Sequence, residues 1–338
     1  MTELAAAERT VRSTTTSDSE DLEVQLEQYR KELTGYCYRM LGSTFEAEDA
    51  VQETMVRAWR SFDRFEGRSS LRSWLYSIAT NVCLDMLNGS QRRARPMDLA
   101  EPKTADGPLG NVLPEATWIQ PMPDSNILPE GNDPADLAVE RDSVRLAFVA
   151  ALQHLPPRQR AVLILREVLR WKATEVAELL DTTVVSVNSA LQRARTTLSE
   201  NDLTASDSLQ PDDEEQRKLL ARYVDAFERY DLDALTSILH EDATLSMPPF
   251  ALWLRGHAEI RAWFLGKGIG CRGSRLVATE ANGSPAFGQY RQSPSGQGHE
   301  PWALQVIEIS GGQVVGLNAF LDTASLFPLF GLPSHLDP

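Results

Sequence analysis

A stretch of about forty residues without helical or strand periodicity divides this chain of 338 residues. Residues 96–139 are rich in Pro, Gly, Asn and Asp, which favour turns and extended backbone over regular elements. Apolar residues recur at helical spacing on both sides of this stretch, so it is predicted to connect separately folded parts. A single hydrophobic core rarely serves more than about 250 to 300 residues, so the length also predicts several domains.

Composition places the remaining boundaries. Residues 201–213 form a second, shorter polar linker, and residues 1–22 have the Ser, Thr and Glu content of a disordered tail. The predicted organisation is a tail (1–22), a helical domain (23–95), an acidic linker (96–139), a second helical domain (140–200), a short linker (201–213) and a mixed domain (214–338).

Charge is distributed unevenly along the chain, whose formal net charge is -15. Residues 57–95 contain eight Arg against three acids, and residues 156–198 contain seven Lys and Arg against four acids. Residues 98–142 carry ten acids against two bases, and residues 200–215 carry seven acids and no base. The basic stretches permit nucleic-acid binding in spite of the net charge. The acidic stretches are either solvated linkers or segments that discourage DNA binding until a partner covers them.

Two amphipathic helices are predicted in the first helical domain. The inward side of residues 46–60 is predicted to comprise Ala47, Val51, Met55, Ala58 and Trp59, which leaves an acidic face outward. In residues 71–95, a polar and partly aromatic stripe lies about 100 degrees from the apolar stripe. It comprises Trp74, Asn81, Asp85, Asn88 and Arg92. Such side chains read base edges, stack on bases and hold phosphates, so the stripe suits unpaired nucleic acid, although an ordinary solvated face would look similar.

Residues 156–198 predict three short helices with helix-turn-helix geometry. Pro157 suits the first position of the first helix, and residues 181–183 supply the turn and an N-cap before the last helix. The outward face of that last helix carries small polar and basic side chains of the kind that enter a major groove: Ser186, Asn188, Ser189, Gln192, Arg193 and Arg195. This composition favours DNA recognition over a plain three-helix packing unit.

From residue 214 a helical pattern gives way to strands, which indicates an α+β domain. The pairs Asn282-Gly283 and Gly311-Gly312 each separate two strand patterns and predict tight hairpins. The ending SLFPLFGLP, residues 325–333, is unusually apolar. It is expected either to cover the core of its own domain or to dock on the helical domains.

Cys37, Cys83 and Cys271 lie far apart in the sequence, which argues against a disulfide framework and against a zinc site. The N-terminal residues lack the pattern of a secretory signal, and no apolar stretch is long enough to cross a membrane. We therefore expect a cytoplasmic protein without a metal or another cofactor.

Together the two helical blocks, about residues 26–198, resemble the conserved domains of the sigma-70 superfamily in its compact extracytoplasmic-function form. EAEDAVQETMVRAW resembles the helix that docks on the β′ clamp of core RNA polymerase, and SLRSWLYSIATNVCLDMLNGSQRRAR resembles the helix that reads the minus-ten promoter element. LPPRQRAVLILREV with the last helix resembles the reader of the minus-thirty-five element, a domain that in this family works beside the β flap. The resemblance implies two all-α domains, a helical bundle and a helix-turn-helix.

Carried to this sequence, the resemblance implies three sets of contacts. The polymerase set is Glu48, Asp49, Gln52 and Glu53. The minus-ten set is Phe62, Phe65, Trp74, Asn81, Asp85, Arg92 and Arg93, with residues 62–68 as the loop that captures an extruded base. The minus-thirty-five set is the group of six outward residues in the last helix. Asn188 and Ala190 replace basic residues that are frequent in the family, and Asp181 replaces the small residue of the tight turn; Asp tolerates left-handed backbone, so the turn should persist.

In element order, the mixed domain resembles the SnoaL-like (nuclear transport factor 2-like) cone fold, in which helices close over a curved sheet and leave a pocket. The predicted pocket residues are His240, Trp253, Tyr290 and Trp302. Some proteins of that fold are enzymes, and an acid/base pair would have to converge among His240, Asp242, His257, Tyr290, His299 and Asp322. Nothing in the sequence names a substrate, and we predict that the chain is not an enzyme.

Linker length is compatible with reading two promoter elements. Elements two DNA turns apart are separated by roughly 70 Å, and some forty-three residues span at most about 140 Å when extended. A free coil of that length averages only about 35 to 40 Å, so the path of the linker must be guided, and the resemblance suggests a channel in polymerase.

These observations predict a sigma factor that binds core RNA polymerase and promoter DNA, directs initiation, and is regulated in cis by its C-terminal domain. An anti-sigma factor or a small-molecule ligand would be a further partner, and no membrane is involved. The alternative is a helix-turn-helix regulator with a ligand-binding or enzymatic SnoaL-like domain. The acidic total and the divided basic stretches predict that the free protein binds duplex promoter DNA poorly.

Overall fold

The computed structural model describes residues 22–128, 134–199, 207, 209 and 213–338. The predicted tail and most of the second linker therefore lie outside the described residues. The chain divides into two compact units, one with residues up to Ser90 together with Pro157–Arg195, the other with Gln91–Pro156 and Thr196–Pro338. We call these the helical unit and the mixed unit. The first linker and the start of the second helical domain thus belong to the mixed unit.

The main helices are, in chain order, α1 (Arg30–Leu41), α2 (Thr44–Ser61), α3 (Leu71–Leu87), α4 (Asp124–Ile127), α5 (Pro134–Val144), α6 (Leu146–Gln153), α7 (Pro157–Leu163), α8 (Ala173–Leu179), α9 (Val184–Ser199), α10 (Glu214–Glu228), α11 (Leu232–Ser237), α12 (His257–Leu265) and α13 (Thr323–Leu329). The strands are β1 (Leu239–Ser246), β2 (Trp253–Arg255), β3 (Arg275–Ala281), β4 (Ser284–Gln292), β5 (His299–Ser310) and β6 (Gln313–Phe320).

Helices α2 and α3 have the predicted amphipathic character, with two corrections. The buried side of α2 comprises Ala47, Ala50, Val51, Thr54 and Ala58. Trp59, predicted inward, is 59% exposed because it lies 100 degrees around the helix from Ala58. Helix α3 ends at Leu87, and Gly89 adopts φ 79, so Asn88 and Arg92 do not continue its polar face.

The second helical block has the predicted helix-turn-helix. Helix α7 begins at Pro157, and the turn before α9 contains Asp181 in the left-handed conformation, φ 48, as expected for Asp. Helix α9 buries Val187, Leu191 and Ala194.

Within the helical unit, helices α1 and α3 pack against the helix-turn-helix. The ring of Tyr76 on α3 contacts the ring of Trp171, which lies just before α8, and the two ring centroids are 4.9 Å apart. The Arg72 guanidinium lies 5.1 Å from the centre of the Trp171 ring. Arg160 on α7 is buried and donates to the Met40 carbonyl at the end of α1. Burial lowers the pKa of Arg160 to about 10, the expected direction for a cation removed from water.

A six-stranded sheet in the order β2-β1-β6-β5-β4-β3 forms the centre of the mixed unit. Strands β1 and β6 are parallel, and the other neighbours are antiparallel. The predicted hairpins are present: Asn282 and Gly283 have φ 57 and 65, and Gly311 and Gly312 have φ 57 and 75. The core between helices and sheet includes Tyr223, Phe227, Leu245, Ile260 and Phe287.

The first linker is irregular up to residue 123, then contains α4 and the start of α5. Most of residues 99–116 are exposed, whereas the stretch that follows is packed. Residues 117–124 are all buried. The apolar ending packs on its own domain: Leu326 and Phe327 of α13 are buried, and the Phe327 ring lies 5.2 Å from that of Tyr290 on β4.

Candidate nucleic-acid interface and cavity

The acidic face of α2 is exposed along its length. Glu48, Asp49, Gln52 and Glu53 are all exposed. Partial desolvation of its carboxylate by the neighbouring protein atoms, and then the adjacent Asp49 carboxylate, raise the pKa of Glu48. Glu53 accepts a hydrogen bond from Arg57 at 2.7 Å. The helix therefore presents a polar, acidic surface for a partner with basic or donor groups.

Three aromatic residues of the predicted minus-ten set form one cluster. Ring centroids lie 6.0 Å apart for Phe62 and Phe65, 4.9 Å for Phe65 and Trp74, and 6.3 Å for Phe62 and Trp74. All three side chains are half-buried. Sequence spacing did not reveal this contact, because a short 3-10 helix at Phe62–Arg64 turns the loop back onto α3. Such a cluster offers ring faces on which an unstacked base can lie.

The polar members of the minus-ten set have different surroundings. Asn81 and Asp85 are exposed on α3, and Arg57 Nη1 lies 3.6 Å from Asp85 Oδ2. In the mixed unit, Arg92 Nη1 lies 2.8 Å from His154 Nδ1. Arg93 is buried and donates to the carbonyls of Glu115 and Trp118 in the linker. Arg93 is thus held by the linker in this state.

Helix α9 exposes the complete minus-thirty-five set, Ser186, Asn188, Ser189, Gln192, Arg193 and Arg195. The Thr183 side chain caps the helix by accepting from the Ser186 amide at 3.1 Å. Arg195 pairs with Glu167 at 2.5 Å across the helix-turn-helix. The other polar side chains of this face are exposed.

Sequence reasoning overlooked two apolar side chains on this helix. Val184 and Val185, at its N-terminus, are 37% and 75% exposed. Recognition helices contact base edges with their N-terminal residues, where an apolar side chain can meet a thymine methyl group. The sequence did contain a signal for these residues, because two valines stand at the start of a predicted recognition helix where the amphipathic pattern places polar side chains.

The turn Asn282-Gly283 binds the linker, the end of α5 and the second linker. The Asn282 amide donates to the Met122 carbonyl, and its side-chain Oδ1 accepts from the Met122 amide at 2.9 Å. Its Nδ2 donates to the Val144 carbonyl at 2.7 Å. The Gly283 amide donates to Asp124 Oδ1 at 2.8 Å, and its carbonyl accepts from Leu209. We call this set of contacts the clasp.

A second anchor holds the linker before the clasp. The Lys103 amide donates to the Trp253 carbonyl, and the Trp253 indole donates to the Ala100 carbonyl at 2.6 Å. The Ala105 amide donates to Glu259, and Lys267 Nζ donates to the Asp106 carbonyl at 2.8 Å.

Between helices and sheet of the mixed unit lies a cavity of about 400 Å³. Its walls include Tyr223, Phe227, Phe250, Trp263, Phe264 and Trp302, together with Leu109 of the linker. Polar lining groups are Lys267, Gln289, Arg291, Gln305 and Asn318, and none of the lining side chains is acidic. The volume lies within the range of small-molecule pockets.

The predicted pocket set needs correction, because only Trp302 lines this cavity. Tyr290 lies on β4 beside the chain ending and donates to the Pro333 carbonyl at 2.8 Å. Trp253 binds the linker, and His240 Nδ1 accepts from the Asp242 amide. Successive residues of a strand face opposite sides of the sheet, which explains why Arg291, and not its neighbour Tyr290, lines the cavity.

The candidate acid/base groups are dispersed. His257 and His299 lie within hydrogen-bond distance of the Leu239 and Gly273 carbonyls, and Asp322 caps α13. Within the described ranges no group of three His, Cys, Asp or Glu side chains could hold a metal ion. In the same part of the chain, no helix has both the length and the apolar character needed to cross a bilayer.

In a comparison with known protein families, three family models match parts of the chain. Family models match as Sigma-70 region 2 over residues 26–93, as Sigma-70, region 4 over residues 145–198, and as SnoaL-like domain over residues 220–317. The chain is 46% identical over 327 residues to the ECF RNA polymerase sigma factor SigG of Mycobacterium tuberculosis, a match that covers 94% of this chain and 85% of that protein.

A second relative from the same organism has both sequence and fold similarity. The ECF RNA polymerase sigma factor SigJ is 27% identical over 248 residues, 72% of each chain. Its crystal structure superposes with a TM-score of 0.57 at 24% identity and covers 88% of this chain and 96% of that one, which shows a shared fold.

Proposed function

The chain belongs to the extracytoplasmic-function sigma factors of RNA polymerase, and we propose that its C-terminal domain restrains it in cis by holding the linker between its two promoter readers. The observation that carries this proposal is the clasp. It binds the linker through Met122 and Asp124 and the start of the second helical domain through Val144. A linker bound there cannot at the same time follow a channel in polymerase.

The sigma factor acts with core RNA polymerase on promoter DNA, and we propose that it does so in the cytoplasm. We assign the exposed acidic face of α2 to the β′ clamp, and the second helical domain to the β flap. The aromatic cluster and the exposed Asn81 and Asp85 are assigned to the melted minus-ten element, and α9 to the minus-thirty-five element. The six exposed side chains of α9 and the proximity of Phe62, Phe65 and Trp74 support these assignments.

The packed helical unit supports a closed free state. Promoter elements two DNA turns apart require the readers to separate by roughly 70 Å, whereas here Tyr76 and Trp171 are in ring contact. Trp74, Asn81 and Asp85 lie on the opposite side of α3 from Arg72 and Tyr76, at 100 degrees per residue, so this contact leaves the minus-ten face exposed. Closure would therefore act on the distance between the readers. It accounts for the expectation that the free protein binds duplex promoter DNA poorly.

We assign no catalytic role to the C-terminal domain. The six candidate acid/base groups named from the sequence do not line the cavity, and general acid/base catalysis requires such groups within reach of one substrate. We propose that the domain binds the linker and thereby restrains the sigma factor.

The test is in vitro transcription with core polymerase and a fragment library of the source genome, with transcript starts mapped. Asn282→Gly removes the two side-chain hydrogen bonds of the clasp and keeps the left-handed turn, since Gly accepts φ 57. Two hydrogen bonds are worth about 1 to 3 kcal/mol together, so the released population should rise roughly 5- to 150-fold and transcription severalfold. Gly311→Asn is the matched control at the first position of the other hairpin, where a side chain meets open space.

Each outcome separates the parts of the proposal. Discrete starts that share two spaced motifs identify initiation by this protein, and their absence would remove that function. Equal transcription from wild type and Asn282→Gly would remove restraint by the clasp while leaving initiation intact.

The surfaces can be distinguished with two further substitutions. Asp49→Ala should weaken polymerase binding at every promoter, because it removes a charge from the docking face. Arg193→Ala should weaken only promoters that depend on the upstream element. Unchanged polymerase affinity of Asp49→Ala, measured by fluorescence anisotropy, would contradict the docking assignment.

A further inference from the structure

The cavity of the mixed unit has a cation whose hydrogen-bonding capacity is largely unused. Arg291 lines the cavity on β4, and its Nη2 donates to Cys271 Sγ at 3.1 Å. A thiol sulfur is a weak acceptor, whereas a guanidinium carries five donor hydrogens. The buried Nε has no partner among the described residues.

Trp302 fixes this guanidinium in place. The Arg291 Cζ atom lies 3.3 Å from the centre of the Trp302 ring, and a glycine, Gly270, leaves room beside it. The interaction orients the planar group without consuming its in-plane donors. Arg291 is therefore held against an aromatic face and forms no ion pair within the part of the chain that the structure describes.

Most other polar lining residues already have hydrogen-bond partners within the protein. Tyr223 donates to Gln305, Gln305 to Gln289, and Gln289 to Ser274, at 2.6, 2.8 and 3.0 Å. Lys267 donates to linker carbonyls. These groups satisfy one another or the linker, so they do not define the ligand.

Asn318 provides a second unpaired group. It is 4% exposed, lines the cavity, and accepts from Ser246 at 2.8 Å, while its Nδ2 has no partner among the described residues. Rotating the amide would only exchange which of its two atoms is unpaired. A buried amide in this condition is costly unless a ligand supplies the missing hydrogen bond.

From these contacts we infer that the cavity binds a small aromatic anion, with its carboxylate, sulfonate or phenolate at Arg291 and its rings between the aromatic walls. The apolar walls suit an apolar body, and among the described lining residues there is no acidic side chain to compensate the charge of Arg291. A carboxylate or a sulfonate offers two oxygens to the guanidinium in a bidentate manner, and a phenolate accepts through its one oxygen. The inference concerns binding alone and stands whether or not the clasp restrains the linker.

Two probes with the same ring system distinguish the contribution of the ligand's negative charge to affinity from the contribution of its rings. 8-Anilinonaphthalene-1-sulfonate is an aromatic anion, and N-phenyl-1-naphthylamine has the same ring system without the sulfonate. Fluorescence titration of the full chain should give saturable one-to-one binding, tighter for the anion by about tenfold or more, the effect of a charge-assisted hydrogen bond.

Substitutions identify the site. Arg291→Met should weaken binding of the anionic probe at least about tenfold and binding of the neutral probe less than about threefold. Arg291→Lys should retain part of the preference for the anionic probe. Arg222→Met removes an exposed arginine elsewhere on the domain and should change neither affinity. Ala319→Phe, which fills the cavity, should weaken both probes.

Equal affinity of wild type for the two probes, or an unchanged anion affinity in Arg291→Met, would overturn the anionic class. Lack of saturable binding by either probe would overturn the site itself. Circular dichroism of each variant shows whether a loss of binding reflects unfolding. These measurements use no polymerase, so they are independent of the transcription test.

Discussion

The first linker and helix α9 reverse the usual relation between sequence pattern and burial. The linker has no periodicity, yet residues 117–124 are buried against the sheet domain. Helix α9 has a regular amphipathic repeat, yet its N-terminal Val185 is 75% exposed. Periodicity reports which face of a regular element is inward, and it is silent about irregular segments that a neighbouring domain covers. The difference predicts stability effects in the linker and recognition effects in the helix.

The largest expected effect is at Trp118. Its side chain is 4% exposed, and truncation of a buried aromatic side chain costs about 3 to 5 kcal/mol. Trp118→Ala should therefore release the linker, seen as faster amide hydrogen exchange in residues 117–124. Trp59→Ala, at an exposed tryptophan, is the control and should leave exchange in its own unit nearly unchanged. Equal exchange in wild type and Trp118→Ala would show that this burial does not hold the linker.

An intermediate effect is expected from pH. Burial, and then the nearby Glu280 charge, raise the pKa of Asp124 to about 7, against opposing effects of the Gly283 amide and Arg141. An acid with a raised pKa in the folded state favours folding when protonated, so this contribution is complete below the unfolded pKa near 4 and is lost as pH rises through about 7. Protection of the Met122 and Gly283 amides against hydrogen exchange, corrected for intrinsic rates, should fall between pH 5 and about 8.

Asp124→Asn tests this directly. The amide oxygen can still accept from the Gly283 amide, but the side chain no longer ionises. The variant should show a flat profile over the same pH range and greater protection than wild type at the upper end. A parallel decline in both proteins would assign the pH dependence to another group.

The smallest effect on stability is expected at Val185, where the effect on recognition should be visible. Exposed substitutions usually change stability by less than about 0.5 kcal/mol. Val185→Ala should therefore leave the melting temperature unchanged and reduce discrimination at one base pair of the minus-thirty-five element. Transcription from a set of promoters randomised in that element measures this. Unchanged base preference would show that Val185 does not contact DNA.

Much of the fold could be predicted from local patterns. The turn at Asp181, the start of α7 at Pro157 and the hairpin at Asn282-Gly283 depend on the backbone preferences of single residues. The exposed faces of α2 and α9 follow from a period of 3.6 residues. The errors lie at the margins of these patterns: Trp59 at the edge of a helical face, and Asn88 and Arg92 beyond the glycine that follows α3.

The pocket prediction failed for a different reason. His240, Trp253 and Tyr290 were chosen because polar and aromatic residues are common in pockets, but their direction depends on the strand and on the segments packed outside it. Trp253 donates a hydrogen bond to the linker, and Tyr290 donates one to the chain ending. Arg291 and Asn318 could be identified only once the sheet was assembled.

The amino-acid sequence alone determined the order of helical and mixed segments, the amphipathic helices α2, α3 and α9, and the turns that join the strands, because each depends on residues within a few positions of one another. Only the tertiary structure decided that residues 117–124 of the linker are buried, that Arg93 is held by the linker, and that Asn282 binds residues 160 and 138 positions away. Contacts between residues so distant in sequence leave no periodic trace. They form because buried backbone groups must find hydrogen-bond partners wherever the folded chain brings them together.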